Sequence, residues 1–268
     1  MINISTFRKL LFIFIFISST VFLSHAGIVV LNGLTHEKTL QPGENNKGTI
    51  QIQNTGDTEK GVKVYLRDYS YSFTGESKHP DPGTLERSNA NWVKFNPELI
   101  TLGPKETATI EFEVSVPDND SLIGTYWSVL MLEGIITPDT TNLDKGVTIN
   151  TAIRYAVQII TNIEDTGTSD VKFLGLDLGQ QADNNILNVF IENTGERMLR
   201  PQLAVELFDK SGNSAGVIKA DRRKIYPGTS VTITLVLKGM KPGGYTGVLV
   251  ADCDEDHIFG TNVSFDLQ

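Results

Sequence analysis

The sequence predicts an all-β protein built as two tandem immunoglobulin-like β-sandwiches, and three observations point there. Apolar residues recur at period two along nearly every stretch after the amino-terminal leader, as in Ile110-x-Phe112-x-Val114-x-Val116 and Val231-x-Ile233-x-Leu235-x-Leu237. Gly, Pro and Asn clusters separate these stretches every ~8–12 residues, the spacing of short antiparallel strands. The third observation is that the same series of strand signals occurs twice.

The leader comes first in the chain. Arg8 and Lys9 form a basic head, residues 10–23 are apolar apart from Ser18, Ser19 and Thr20, and Ser24-His25-Ala26 offers small residues for cleavage. That order is a secretory signal peptide, residues 1–26, and the apolar run falls short of the ~20 residues of a membrane span. The expected product starts at Gly27, is periplasmic or secreted, and has no membrane insertion after cleavage. Its one cysteine, Cys253, has no internal disulfide partner, so each module must stand on an apolar core. A net charge of −9 argues against nucleic acid and anionic membrane as partners.

The body of the chain divides at a short polar linker. Residues 27–162 form the first expected sandwich, residues 163–168 the linker, and residues 169–268 the second sandwich. The duplication is visible in three places. Ile52-Gln53-Asn54-Thr55-Gly56 recurs as Ile191-Glu192-Asn193-Thr194-Gly195. The stretch 106–112 recurs as 229–235, and Gly124-Thr125-Tyr126 as Gly244-Tyr245, with the tyrosines in register. Each Asn-x-Gly is expected to turn the chain through a residue that tolerates positive φ. Each tyrosine lies where its hydroxyl can close a corner by bonding nearby backbone. The first module carries an extra polar stretch, 74–88, which reads equally as a functional surface or a tolerated insertion.

Catalytic chemistry is thin, and no enzyme is expected. After the leader the histidines are His36, His79 and His257, and no metalloprotease helix, nucleophile elbow or phosphate loop occurs. Asp252, Asp254 and Asp256 resemble a cation loop but lack its turning glycine, so they are expected at a hairpin tip instead, with no metal and no cofactor. Cys253 sits there as a half-buried strand residue. Trp92 and Trp127 are expected between the sheets of the first sandwich. Tyr69, Tyr71 and Phe73 share one strand face and read as core ahead of a ligand platform.

On the stretches Asn91-Trp92-Val93-Lys94-Phe95-Asn96-Pro97, Leu102-Gly103-Pro104-Lys105-Glu106, Val114-Ser115-Val116-Pro117 and Gly124-Thr125-Tyr126-Trp127, the first module resembles the amino-terminal domain of PapD-like periplasmic pilus chaperones. It is also similar to the envelope domain of WxL-interacting proteins. The resemblance implies a tandem sandwich whose interdomain cleft grips a client's terminal carboxylate with basic residues of the first domain's first and last strands. Here residues 27–35 contain no basic residue, and Gln158 falls near the expected lysine.

The binding expectation centres on one long alternating strand, 147–160. Val147, Ile149, Ile153, Tyr155, Val157 and Ile159 share a face; Thr148, Asn150, Arg154 and Gln158 share the other. A strand this long predicts an exposed edge, to which an extended segment of another exported protein, pilin-like or a surface subunit, adds as a strand. Val147, Ile149, Thr151 and Ile153 are the expected contacts, and Arg154, facing the cleft, holds a carboxylate. The alternative is a structural or adhesive envelope module that binds cell-wall glycan or a surface protein through its loops.

Overall fold

The computed structural model describes residues 27–135, 153–254 and 257–268. The leader and its cleavage site lie outside the described residues, as do Val147, Ile149 and Thr151. In chain order the first module holds β1 (Ile28–Val30), β2 (Thr35–Leu40), β3 (Asn45–Asn54), β4 (Lys60–Arg67), β5 (Ser70–Tyr71), β6 (Ser77–Lys78), β7 (Val93–Asn96), β8 (Leu99–Leu102), β9 (Thr107–Ser115), β10 (Gly124–Ile135) and β11 (Arg154–Ile163). The second holds β12 (Val171–Gln181), β13 (Asn184–Asn193), β14 (Gln202–Asp209), β15 (Ser214–Lys219), β16 (Ser230–Val236), β17 (Gly243–Asp254) and β18 (His257–Leu267). The helical content among the described residues is one 3₁₀ turn, Ala90–Trp92.

Each module is a two-sheet sandwich. In the first, the sheet β1-β3-β9-β7 faces β2-β11-β10-β4-β8; in the second, β12-β13-β16 faces β15-β14-β17-β18. The period-two strands bury one face between the sheets: Ile50, Ile52, Ile110, Leu130, Val157 and Ile159 in the first core, and Leu187, Ile191, Leu203, Ile233 and Leu249 in the second. The duplication extends to the sheet order, since β1-β3-β9 matches β12-β13-β16 and β11-β10-β4-β8 matches β18-β17-β14-β15. Register is kept as well. Ile52 pairs with Ala108 as Ile191 pairs with Val231, and Ile50 with Ile110 as Val189 with Ile233. The first module adds β2, β7 and the small β5–β6 ribbon.

The Asn-Thr-Gly repeats turn out to work differently from the expectation. Neither asparagine nor its glycine has positive φ; the backbone residues that do lie elsewhere. Instead the Asn54 side chain is fully buried, donating to the carbonyls of Thr58, Leu102 and Gly103 and accepting from the Gly56 N–H. Asn193 repeats this, donating to Arg197 O and Ile225 O and accepting from Gly195 N–H. A short amide that is donor and acceptor at once ties the end of one sheet to the loop of the other, which no apolar residue of that size can do. Of the two tyrosines, Tyr245 closes a corner through a 2.8 Å bond to Lys241 O, whereas Tyr126 packs against Trp92 with ring centroids 4.7 Å apart.

Two aromatic expectations are corrected. Trp127 is buried, but between the modules, stacked on Tyr226 of the second at 4.5 Å. The run 69–73 is a strand only at Ser70–Tyr71, and its rings pack on the second module rather than in the first core.

A candidate partner-binding edge and the cleft between the modules

The open edge is created by a strand that changes sheets. After β1 the chain crosses over residues 31–34, where Gly33 has φ +91° and the Asn32 amide bonds Thr49 O and Gln51 N, holding the crossing against β3. It emerges as β2, parallel to β11, with pairs running from Thr35 opposite Gln158 to Leu40 opposite Ile163. Among the described residues β2 therefore covers the linker-proximal part of β11 and leaves Arg154 to Val157 uncovered on that side, while β10 pairs with the other. Gln158 N–H donates outward to Leu34 O, and Ile153 O accepts inward from Gly134 N–H. Backbone groups alternate along a strand, so the N–H of Ala156 points to the open edge. Leu34 and Ile153, 45% and 51% exposed, flank this edge.

The expected strand 147–160 is thus seen as Arg154–Ile163, with Ile153 just ahead of it. Arg154 does not face the cleft. It sits four residues up the strand from Gln158, roughly 13 Å at ~3.3 Å per residue. Its guanidinium donates to Glu133 Oε1 at 2.7 Å, and Tyr65 donates to Oε2 of the same carboxylate. Those two hydrogen bonds hold the Glu133 carboxyl below the usual carboxylate range. The adjoining groove, about 710 Å³, is lined by Tyr65, Arg67, His79, Met131 and Arg154 among others, all from the first module.

The cation in the cleft comes from the second module. Lys224 Nζ donates to Gln158 Oε1 at 2.7 Å and to Thr35 Oγ1 at 3.1 Å, and the Tyr226 hydroxyl donates to the same Gln158 oxygen. Burial, aided by the neighbouring Arg200 charge, lowers the Lys224 ammonium to about 8. Burial pushes the Tyr226 phenol far up, so it stays a donor. Burial also pushes the Glu37 carboxyl up, but bonds from Arg200 and Asn162 outweigh this and hold it low. Lys224 ends the basic run Arg222-Arg223-Lys224 in an acidic chain, a signal present in the sequence that the strand-centred reading passed over. A 450 Å³ pocket beside it is lined by Tyr69, Tyr71, Phe73, Arg223, Lys224 and Tyr226 among others.

Of the acidic cluster, Asp252 and Asp254 belong to the β17–β18 hairpin, where Asp252 pairs with Ile258 and Asp254 with His257, and Asp256 lies outside the described residues. Cys253 is buried in the second core. Among the described residues no group of three or more His, Cys, Asp or Glu is placed to hold a metal, and no helix is long and apolar enough to cross a membrane.

Among solved structures, the chain is similar to fimbrial chaperones. The class 5 fimbriae chaperone CfaA matches with 14% identity and a TM-score of 0.47, over 89% of this chain and 98% of that one. A chain of the CsuC–CsuE chaperone–tip adhesion subunit pre-assembly complex from the archaic chaperone-usher Csu pili of Acinetobacter baumannii matches with 11% identity and a TM-score of 0.46, over 88% and 98%. A chain of the Salmonella enterica SafA pilin–SafB chaperone complex matches with 10% identity and a TM-score of 0.43, over 88% and 96%. No protein-family model and no curated protein matches the chain. At these identities no residue of the site is carried over.

Proposed function

We propose that this chain is an exported, chaperone-like adaptor that captures an extended segment of another exported protein, adding it as a strand to the open edge of β11. The observation that carries this reading is the incomplete cover of that edge. β2 stops at Thr35, and among the described residues the next outward groups of β11, on Ala156 and Arg154, have no strand beside them. A segment lying in line with β2 and parallel to β11 satisfies those groups and buries Leu34 and Ile153. Its carboxyl end then reaches the start of β2, where Lys224, Thr35 and Gln158 converge. In this reading Lys224 takes the part first expected of Arg154, and Val147, Ile149 and Thr151 extend the contact beyond the described strand. Export follows from the leader pattern of residues 1–26, and strand addition needs no cofactor.

Ala156→Pro tests the edge directly. It removes an outward N–H without touching the ladder to β10, and edge positions of this kind tolerate proline. A photoreactive residue placed at Ala156 in the native host is expected to give an adduct with an exported protein, whereas one placed at Leu99 gives none. The adduct partner is expected to be lost from pull-downs with Ala156→Pro. A folded Ala156→Pro protein that keeps the partner at full strength sinks the strand-addition reading.

A further inference from the structure

The stretch after β4, residues 69–73, leaves the first module and lies on the second. The Tyr71 hydroxyl donates to Lys224 O at 2.8 Å and accepts from Tyr226 N–H at 3.3 Å. Phe73 N–H donates to Ser230 Oγ, and Thr232 Oγ1 donates to Phe73 O, so both backbone groups of Phe73 are held by β16. The Phe73 ring packs on Phe190 with centroids 5.0 Å apart. The root of the stretch is fixed in turn. Asp68 is fully buried and accepts from the N–H groups of Gly83, Thr84 and Leu85 and from the Ser88 hydroxyl. Trp127 Nε1 donates to Tyr69 O at 2.7 Å. The polar stretch 74–88 is therefore the base on which the crossing segment stands.

A separate contact zone joins the modules on the linker side. There Thr125 N–H donates to Glu196 O, Met198 N–H donates to Thr125 Oγ1, and Arg87 pairs with Glu196 at 3.4 Å. The two zones flank the Trp127–Tyr226 stack. Modules joined by a linker and one small contact ordinarily swing about it. A second anchored zone across the stack removes the axis.

We propose that residues 69–73 are a clamp that locks the angle between the modules and positions the Lys224–Tyr226 turn, so that the cleft is preformed before any client arrives. The use made of the preformed cleft rests on the reading above. The clamp itself is a property of the free chain, and its test involves no client.

The test uses the full mature chain carrying Tyr71→Phe with Phe73→Ala, and a second variant, Ser230→Ala with Thr232→Ala, that loosens the same contact from the other side. Residual dipolar couplings are fitted separately for each module. The wild type is expected to give one common alignment tensor and both variants two unequal ones. The Lys224 side-chain carbon resonance is titrated in parallel, in the field of Arg200, Glu37, Gln158, Thr35 and Tyr226. Its midpoint is expected near 8 in the wild type and to move toward the ordinary 10.5 once the turn opens to water. Unequal tensors in the wild type, or a common tensor in both variants, overturn the lock. An unmoved Lys224 midpoint overturns the positioning.

Discussion

Replacing Asn54 or Asn193 by alanine should destabilise the module that contains it, and the structure sets the size of the effect. Asn193→Ala removes three hydrogen bonds. Ile225 O keeps a second donor, Leu199 N–H at 2.9 Å, so the lasting damage is the buried Gly195 N–H and the loosened Arg197 O. A net intramolecular bond contributes ~1 kcal/mol and an orphaned buried donor costs ~1–3 kcal/mol, so a loss on the order of 3–5 kcal/mol is expected. Asn54→Ala removes four bonds and should cost at least as much. Against a typical ~5–15 kcal/mol of total stability, either change is large. Urea unfolding measures it. Trp92 and Trp127 both belong to the first module, so fluorescence follows Asn54→Ala, while far-ultraviolet circular dichroism follows both. Asn→Asp at each position is the isosteric control: it keeps the acceptor but turns an oxygen toward the carbonyls, and at neutral pH should be no milder than alanine. A loss under ~1 kcal/mol for alanine, or aspartate variants as stable as the wild type, would refute the idea that these amides hold sheet to loop.

Two further outcomes follow from the interface. Gly124 has φ +74°, and a Cβ there would run into Glu196 O. Gly124→Ala is expected to break the Thr125 N–H to Glu196 O bond and separate the modules' thermal transitions in calorimetry, with each module still folded. Lys224 has a folded pKa lowered to about 8 from 10.5, so the unfolded chain holds the extra proton between those values. Wild-type stability relative to Lys224→Met should therefore rise as the pH increases from 8 toward 10, and stay flat below 8. Urea midpoints across that range check the sign, and a fall instead of a rise rules out a desolvated lysine.

Much of this fold was legible because a sandwich strand advertises itself locally. Ile50-x-Ile52 and Ile110-x-Phe112 alternate for the same reason that they pair, and the duplicated Asn-Thr-Gly fixed the register between modules. The function of the asparagines was not legible, since a buried amide and a turn residue have the same sequence signature. β2 went unread because Thr35-His36-Glu37-Lys38-Thr39 has no apolar alternation; its pairing comes from backbone bonds to β11, and Thr35, Glu37 and Thr39 face a polar cleft while His36 packs on Phe112. β10 did carry a signal. Its run Trp127-Ser128-Val129-Leu130-Met131-Leu132 abandons alternation because both faces are covered, the outer one at Trp127 by Tyr226 of the second module. Lys224 was missed because cleft residues come together from both modules, a proximity that no single stretch of sequence displays.

The open part of β11 differs from the long edge at β18 in a way that bears on the proposed function. Among the described residues β18 is also unpaired on one side, but beyond the exposed Ile258 at its start the outward row, Gly260, Asn262, Ser264 and Asp266, is polar or bare, which discourages pairing. Beside β11 stand Leu34 and Ile153, with no proline or lysine among Arg154 to Val157. Yet the edge is short. The outward groups of Ala156 and Arg154 offer a few hydrogen bonds at about 1 kcal/mol each. That is no more than the low end of the ~4–15 kcal/mol that association costs. In the proposed strand addition, backbone pairing alone therefore gives register without affinity, and the holding energy would come from the apolar rim and from the cation at the end of the track. Ile153 and the cation lie at opposite ends of the same four-residue run, with Leu34 at the cation's end, which is why the angle between the modules matters. Lys224 can meet the end of a strand paired with β11 only if the second module is held where residues 69–73 hold it.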